Sequence, residues 1–162
     1  MAAKLSIPLL ASGGIGNGYQ MAAAFALGAE GINMGTRFVA TQEAPVHENV
    51  KQAMVDADER QTTLIFRSLI NTVRVFDNKI AAEVLAIEAQ PGETDFADIQ
   101  PLVAGKRGNE EVLEGGDIDG GIWTAGMVMG LINDIPTCEV LLKRIVAEAR
   151  EAAEVRVSAL LD

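Results

Sequence analysis

Two short runs, Ser12-Gly13-Gly14 and Met34-Gly35-Thr36, hold the residue types that can grip an anion. Glycine lets a backbone turn sharply and approach a ligand with no Cβ in the way. Gly35 follows Gly13 by 22 residues, so the second run repeats the arrangement of the first. Each closes an apolar stretch, residues 7–11 and 31–34, and both stretches read as short buried parallel strands; Pro8 stands at the start of the first, where a missing N–H does least harm to a ladder. The small-residue run 18–27 between them reads as a helix with Asn17 as its N-cap, and N–H groups at such a helix start attract an anion. Strand, loop, helix, strand, loop is the order this implies. Two adjacent strand ends then offer glycine N–H groups and the Thr36 hydroxyl to the same side, where one phosphate could use both loops.

Paired phosphate loops at the carboxyl ends of neighbouring parallel strands are the usual arrangement of strands seven and eight of a (β/α)8 barrel. The other reading is that the glycines only make tight turns in some parallel α/β protein. Two further glycine motifs fail. Gly14-Ile15-Gly16 is followed by Tyr19 where a dinucleotide fingerprint needs its third glycine, and no Gly-Lys-Ser/Thr exists for a P-loop.

The run ASGGIGNGYQMAAAFALGAEGINMGTRFVAT at 11–41, with EAPVH at 43–47, closely resembles the nitronate monooxygenase family, the former 2-nitropropane dioxygenases. The likeness continues through RSLINTVRV at 67–75, EVLAIEA at 83–89 and GIWTAGMVMGLI at 121–132, and these later stretches look most like the NADH:quinone reductase branch of that family. The resemblance implies an α/β fold: the carboxyl-terminal part of an FMN-binding TIM barrel, its last two βα units at 1–60, with a mainly helical region at 61–162 packed on it. It implies FMN as cofactor, with Gly13, Gly14, Met34, Gly35 and Thr36 around its phosphate. The implied substrate is a small molecule, an alkyl nitronate oxidised with oxygen or, in the other branch, a quinone reduced with NADH.

Family members are roughly twice as long, and a complete barrel takes about 250 residues against the 162 here, so the chain is expected to be a fragment. The first six strands have no counterpart, and with them goes the segment that carries the family's catalytic histidine. No catalytic residue is therefore assigned. His47, the sole histidine, does not match that position and reads as a surface or packing residue at a helix start. A second functional class follows from the same observation: a non-catalytic piece stable only beside a partner chain that supplies the missing strands. Two strands without neighbours expose apolar faces and unpaired backbone groups, which predicts either self-association through them or a partly molten, aggregation-prone chain, with its ordered core in the carboxyl-terminal helices.

A net charge of −10 argues against nucleic acid and against an anionic membrane surface as partners. No apolar run approaches the roughly 18 residues of a membrane span, and the short LSIPLLA stretch after Lys4 leads straight into the first loop rather than reading as a signal peptide. The single Cys138 makes no internal disulfide, which fits a cytoplasmic location.

Further along, a helix is expected from Pro45, with Val46, Val50 and Met54 inward and Glu48, Lys51 and Asp56 outward. Residues 62–66 read as extended. Arg67 and Arg74 could recognise a phosphate or, the favoured reading, pair with some of the 23 acidic residues. Helices are expected at 79–89 and 96–104, a loop at 105–121, where Asp117-Ile118-Asp119-Gly120 lacks the later ligands of a calcium loop, and a helix at 122–132. Gly126 and Gly130 there would let another backbone approach, and Trp123 reads as packing or as a contact to flavin or substrate. A last helix, 136–161, is expected to turn Val140, Leu141, Ile145, Val146 and Ala149 inward.

Overall fold

The computed structural model describes residues 4–160. Leu10–Ser12 (β1) and Gly31–Asn33 (β2) pair in parallel, Leu10 opposite Gly31 and Ser12 opposite Asn33, and Gly18–Ala26 (α1) connects them. Asn17 caps α1 by accepting the Gln20 N–H at 3.0 Å. Both strands are shorter than expected and neither is buried: Ile7 is 67% exposed and Leu10 61%. A parallel ladder needs cover on both faces. Here two strands stand alone in their sheet.

Thr36–Val39 (α2) follows β2, and Glu48–Asp56 (α3) starts three residues later than Pro45. His47 is its N-cap, Nδ1 accepting the Asn49 N–H at 3.1 Å, which gives the histidine a structural task. Val50 and Met54 are buried, as the stripe requires, but so is Lys51, expected outside. Its ammonium reaches the Gln42 carbonyl at 3.1 Å, so the buried charge keeps a partner.

Thr62–Ile65 (β3) pairs antiparallel with Val73–Phe76 (β4), a strand that the sequence reading did not separate from the stretch before it. The turn between them holds Phe66 and Ile70 at φ of 63° and 55°. The Glu88 carboxylate accepts the N–H groups of Phe66 and Ser68, each at 3.0 Å, and steadies this left-handed backbone. Neither Arg67 nor Arg74 forms an ion pair among the described residues; Arg74 donates instead to the Thr62 hydroxyl at 2.9 Å. The expected acidic pairing of these arginines is corrected accordingly.

Lys79–Glu88 (α4) and Phe96–Val103 (α5) lie where expected, α5 opening on an Asp95–Asp98 capping box. The expected loop after them is largely helical: Gly105–Arg107 (α6) runs into π-helical turns over Gly108–Glu114. Pairs at i,i+4, Lys106–Glu110 and Arg107–Glu111, support that run, and Val112 buries itself in the core. Conversely, 122–132 is not one helix. Thr124 bridges Val75 in an extended conformation, and only Met127–Leu131 coils, as a 3-10 turn. Gly126 and Gly130 weaken a helix there, and a Cβ on Gly130 would stand 2.9 Å from the Glu59 nitrogen, the close backbone approach expected of it.

Cys138–Glu151 (α7) is capped by Thr137 and continues as π turns Ala152–Val157 and a 3-10 turn Ser158–Leu160; the expected end at Leu161 lies outside the described residues. Leu141 and Ile145 face inward, whereas Val140 and Val146 are exposed. The core falls into two clusters. One gathers Val50, Met54, Phe76, Val112, Trp123 and Met129, with the Phe76 and Trp123 rings stacked at 4.4 Å. The other packs the β3–β4 hairpin on α4 and α5 through Ile65, Val75, Val84 and Ile99. The core thus sits in the middle of the chain rather than in its last helices. No helix among the described residues is long and apolar enough to cross a membrane.

Candidate functional site: two glycine loops at adjacent strand ends

The parallel register sets Ser12 beside Asn33, so the loops that follow β1 and β2 leave the sheet side by side. Asn33 Nδ2 donates to Ser12 Oγ at 3.1 Å and ties the two strand ends together. Gly13 and Gly14 have φ of 86° and 71°, the left-handed region that costs other residues most. Gly35 has an ordinary φ of −96°. Positive φ therefore explains the glycine in the first loop only.

What the three glycines share is open space. A Cβ built on Gly13, Gly14 or Gly35 meets nothing within 4 Å, whereas one on Gly18 would meet the Ile145 carbonyl at 2.1 Å. Packing explains Gly18. It does not explain the loop glycines, whose bare backbone is exposed with open space above it. Backbone left bare in this way can bring main-chain N–H groups up to a phosphate group.

Thr36 Oγ1 accepts the Gly126 N–H at 3.0 Å, which leaves the hydroxyl proton free to donate. This bond also joins the second loop to the 122–132 segment. Met34 and Gly35 line a shallow apolar cleft of about 360 Å³ with Phe38, Thr41 and Cys138. Trp123 is not in that cleft; its indole N–H donates to the Ile118 carbonyl at 3.1 Å while the ring stacks on Phe76.

The start of α1, expected to help hold an anion, is already taken. Glu148 Oε2 on α7 accepts the Gly18 N–H at 2.7 Å. An anion is left the loops themselves. The sequence reading also missed Arg37, buried directly after Thr36: its guanidinium donates to the Asp134 carboxylate at 2.7 Å and to the Asp134 carbonyl at 3.2 Å. Arg144 of α7 binds the other Asp134 oxygen at 2.6 Å. The hydrogen bond from Arg144, outweighing burial, holds the Asp134 carboxyl below the usual carboxylate range. Burial pulls Arg37 down from the usual guanidinium value, against the attraction of Asp134. The signal for Arg37 was present: one charge within the apolar run 38–40 and its flank requires a partner.

The nitronate monooxygenase family model matches residues 1–148. A nitronate monooxygenase of Paraburkholderia phytofirmans is 30% identical over 156 residues, 95% of this chain and 41% of that protein. An octahydroindene-carboxyl-CoA dehydrogenase of Rhodococcus jostii is 29% identical over 178 residues, 90% of this chain and 50% of that protein. Among solved structures, FabK of Thermotoga maritima superposes with a TM-score of 0.84 at 33% identity, covering 94% of this chain and 47% of that one. A nitroalkane oxidase of Streptomyces ansochromogenes gives 0.68 at 26% identity, covering 91% and 41%. The α/β fold is thus similar to about half of each of those chains, and the chain spans about half the length of the curated relatives it matches. From the extent of the family match and the identity to its nitronate monooxygenase members, the chain belongs to the nitronate monooxygenase family.

Proposed function

We propose that the chain is the flavin-phosphate-binding part of an FMN-dependent oxidoreductase that oxidises alkyl nitronates with oxygen. The observation that carries this reading is the pair of glycine loops at adjacent strand ends, with nothing within 4 Å of the Cβ positions of Gly13, Gly14 and Gly35. In this reading residues 1–60 are the last two βα units of a barrel and 61–162 a region packed on them. FMN, when bound, supplies the electron-transfer chemistry. The chain's own part is to bind and orient it: main-chain N–H groups of both loops and the Thr36 hydroxyl grip the phosphate, Met34 borders the cleft, and Asn33–Ser12 fixes the spacing of the loops. Arg37 and Arg144, bridged by Asp134, hold α2 against α7, so the second loop keeps its position without spending a charge on the ligand.

A second reading is the quinone-reducing branch of the family, which the stretches 67–75 and 121–132 most resemble in sequence. The purified chain, stripped of flavin and titrated with FMN, tests the shared part of both readings: saturable perturbation of the flavin absorption spectrum supports them, and no perturbation leaves a non-catalytic piece. Oxygen uptake with an alkyl nitronate against NADH oxidation with a quinone, measured on a complete barrel that contains this chain, then separates the two.

A further inference from the structure

We propose that Gly126 is a positioning residue for the phosphate grip: its main-chain N–H sets the direction of the Thr36 hydroxyl proton. The Gly126 N–H donates to Thr36 Oγ1 at 3.0 Å. A hydroxyl that accepts on one side keeps its proton for another. Among the described residues the Thr36 hydroxyl donates to no acceptor, and the side chain is half-buried, so the proton is held for a ligand at the second loop. This inference rests on the reading of the loops as a flavin-phosphate site, because it assigns Gly126 to that phosphate through Thr36.

The glycine itself points the same way. Gly126 has φ −90° and ψ 159°, extended backbone that any residue adopts. A Cβ built there would stand 3.2 Å from Thr36 Oγ1, while the next atom, Val128 Cγ1, lies at an ordinary 3.8 Å. Neither conformation nor core packing therefore requires glycine at this position; the approach to Thr36 does. The donor is fixed from the core side. Just before it Thr124 bridges Val75, and the Phe76 N–H donates to the Trp123 carbonyl at 3.0 Å. Just after it the Gly126 carbonyl accepts the Met129 N–H at 3.0 Å, and Ala125, Val128 and Met129 are buried. A donor anchored on both sides sets the hydroxyl before a ligand arrives, which leaves less to be ordered on binding.

The test measures FMN and riboflavin affinities, by quenching of flavin fluorescence, for the purified parent chain, Gly126→Ala, Thr36→Val and the double variant. Gly126→Ala is expected to weaken FMN binding at least about fivefold and to leave riboflavin affinity and near-ultraviolet circular dichroism as in the parent; Thr36→Val is expected to cost at least about tenfold in FMN affinity, as for a hydrogen bond to a charged group. In the double variant Gly126→Ala adds nothing to the loss from Thr36→Val, because Gly126 acts through that hydroxyl. Should Gly126→Ala disturb the circular dichroism, the Gly126 amide proton of the parent is followed by NMR: FMN moves it downfield and riboflavin does not, since donation to phosphate strengthens the bond the hydroxyl accepts. An intact FMN preference in Gly126→Ala, a loss shared equally by riboflavin, additive losses in the double variant, or an amide indifferent to FMN overturns the role of Gly126 and leaves the phosphate site standing. Equal affinity of the parent for FMN and riboflavin overturns the phosphate site, and the role of Gly126 falls with it.

Discussion

Glu148 on α7 accepts the Gly18 N–H of α1 at 2.7 Å, placing a carboxylate at the helix start where a free anion would otherwise sit. The same approach brings the Ile145 carbonyl to within 2.1 Å of where a Gly18 side chain would begin. The two helices are thus locked by one charged hydrogen bond and one absent side chain. Glu148→Ala is expected to cost about 1.5–3 kcal/mol, the range for a hydrogen bond to a charged group, and Glu148→Gln less, since an amide oxygen still accepts. Gly18→Ala is expected to cost about 1–3 kcal/mol through overpacking. Urea midpoints at constant slope measure all three.

The loop glycines should separate stability from binding. Gly14→Val forces a β-branched residue to φ near 71° and is expected to cost about 1–3 kcal/mol of stability as well as flavin-phosphate affinity. Gly35→Val, at an ordinary φ with open space above it, is expected to leave the melting temperature within a degree or two of the parent while still obstructing approach of a phosphate to the second loop. Equal destabilisation by both would contradict the backbone geometry.

The Arg37–Asp134–Arg144 group carries an acid limb of stability. Arg144's hydrogen bond depresses the Asp134 pKa in the folded state, so the unfolded chain takes up this proton first as pH falls. The contribution is complete above the unfolded value and is lost progressively below about pH 5. Asp134→Asn should flatten the acid side of the pH–stability curve. Asp134→Ala should cost about 2 kcal/mol at neutral pH, because Arg37 stays buried without a counter-charge; the half-open position of Asp134 keeps this below the value for a wholly buried pair.

The exposed faces around β1 should draw copies of the chain together. Ile7 and Leu10 are mostly exposed, Leu27 at the end of α1 is 83% exposed, and two strands offer free edges. Light scattering is expected to show concentration-dependent association, reduced by Leu10→Lys. A monodisperse monomer at every concentration would show that these faces are tolerated in water.

The first half of the chain was the more legible. Asn17, the two glycine loops and the parallel pair follow from local rules: an Asx cap, glycine turns, short apolar runs. Burial of those strands was misjudged because it depends on neighbours, which a local pattern does not contain. β4 was missed because Val73-Arg74-Val75-Phe76 acquires its identity from the partner β3 across a turn held by the Glu88 carboxylate. The helix expected at 122–132 gave way when Thr124 paired with Val75, a tertiary hydrogen-bonding choice that overrode periodicity. Arg37 and Glu148 act through partners 97 and 130 residues away in sequence, beyond any window of pattern reading.

The central claim is that the chain grips a phosphate through its two glycine loops. Its most direct test compares the affinity of the purified chain for FMN with that for riboflavin, which is FMN without the phosphate, by flavin fluorescence quenching. FMN is expected to bind at least tenfold more tightly, and Gly35→Val to bring the two affinities together. Equal affinity for FMN and riboflavin in the parent chain would contradict the account.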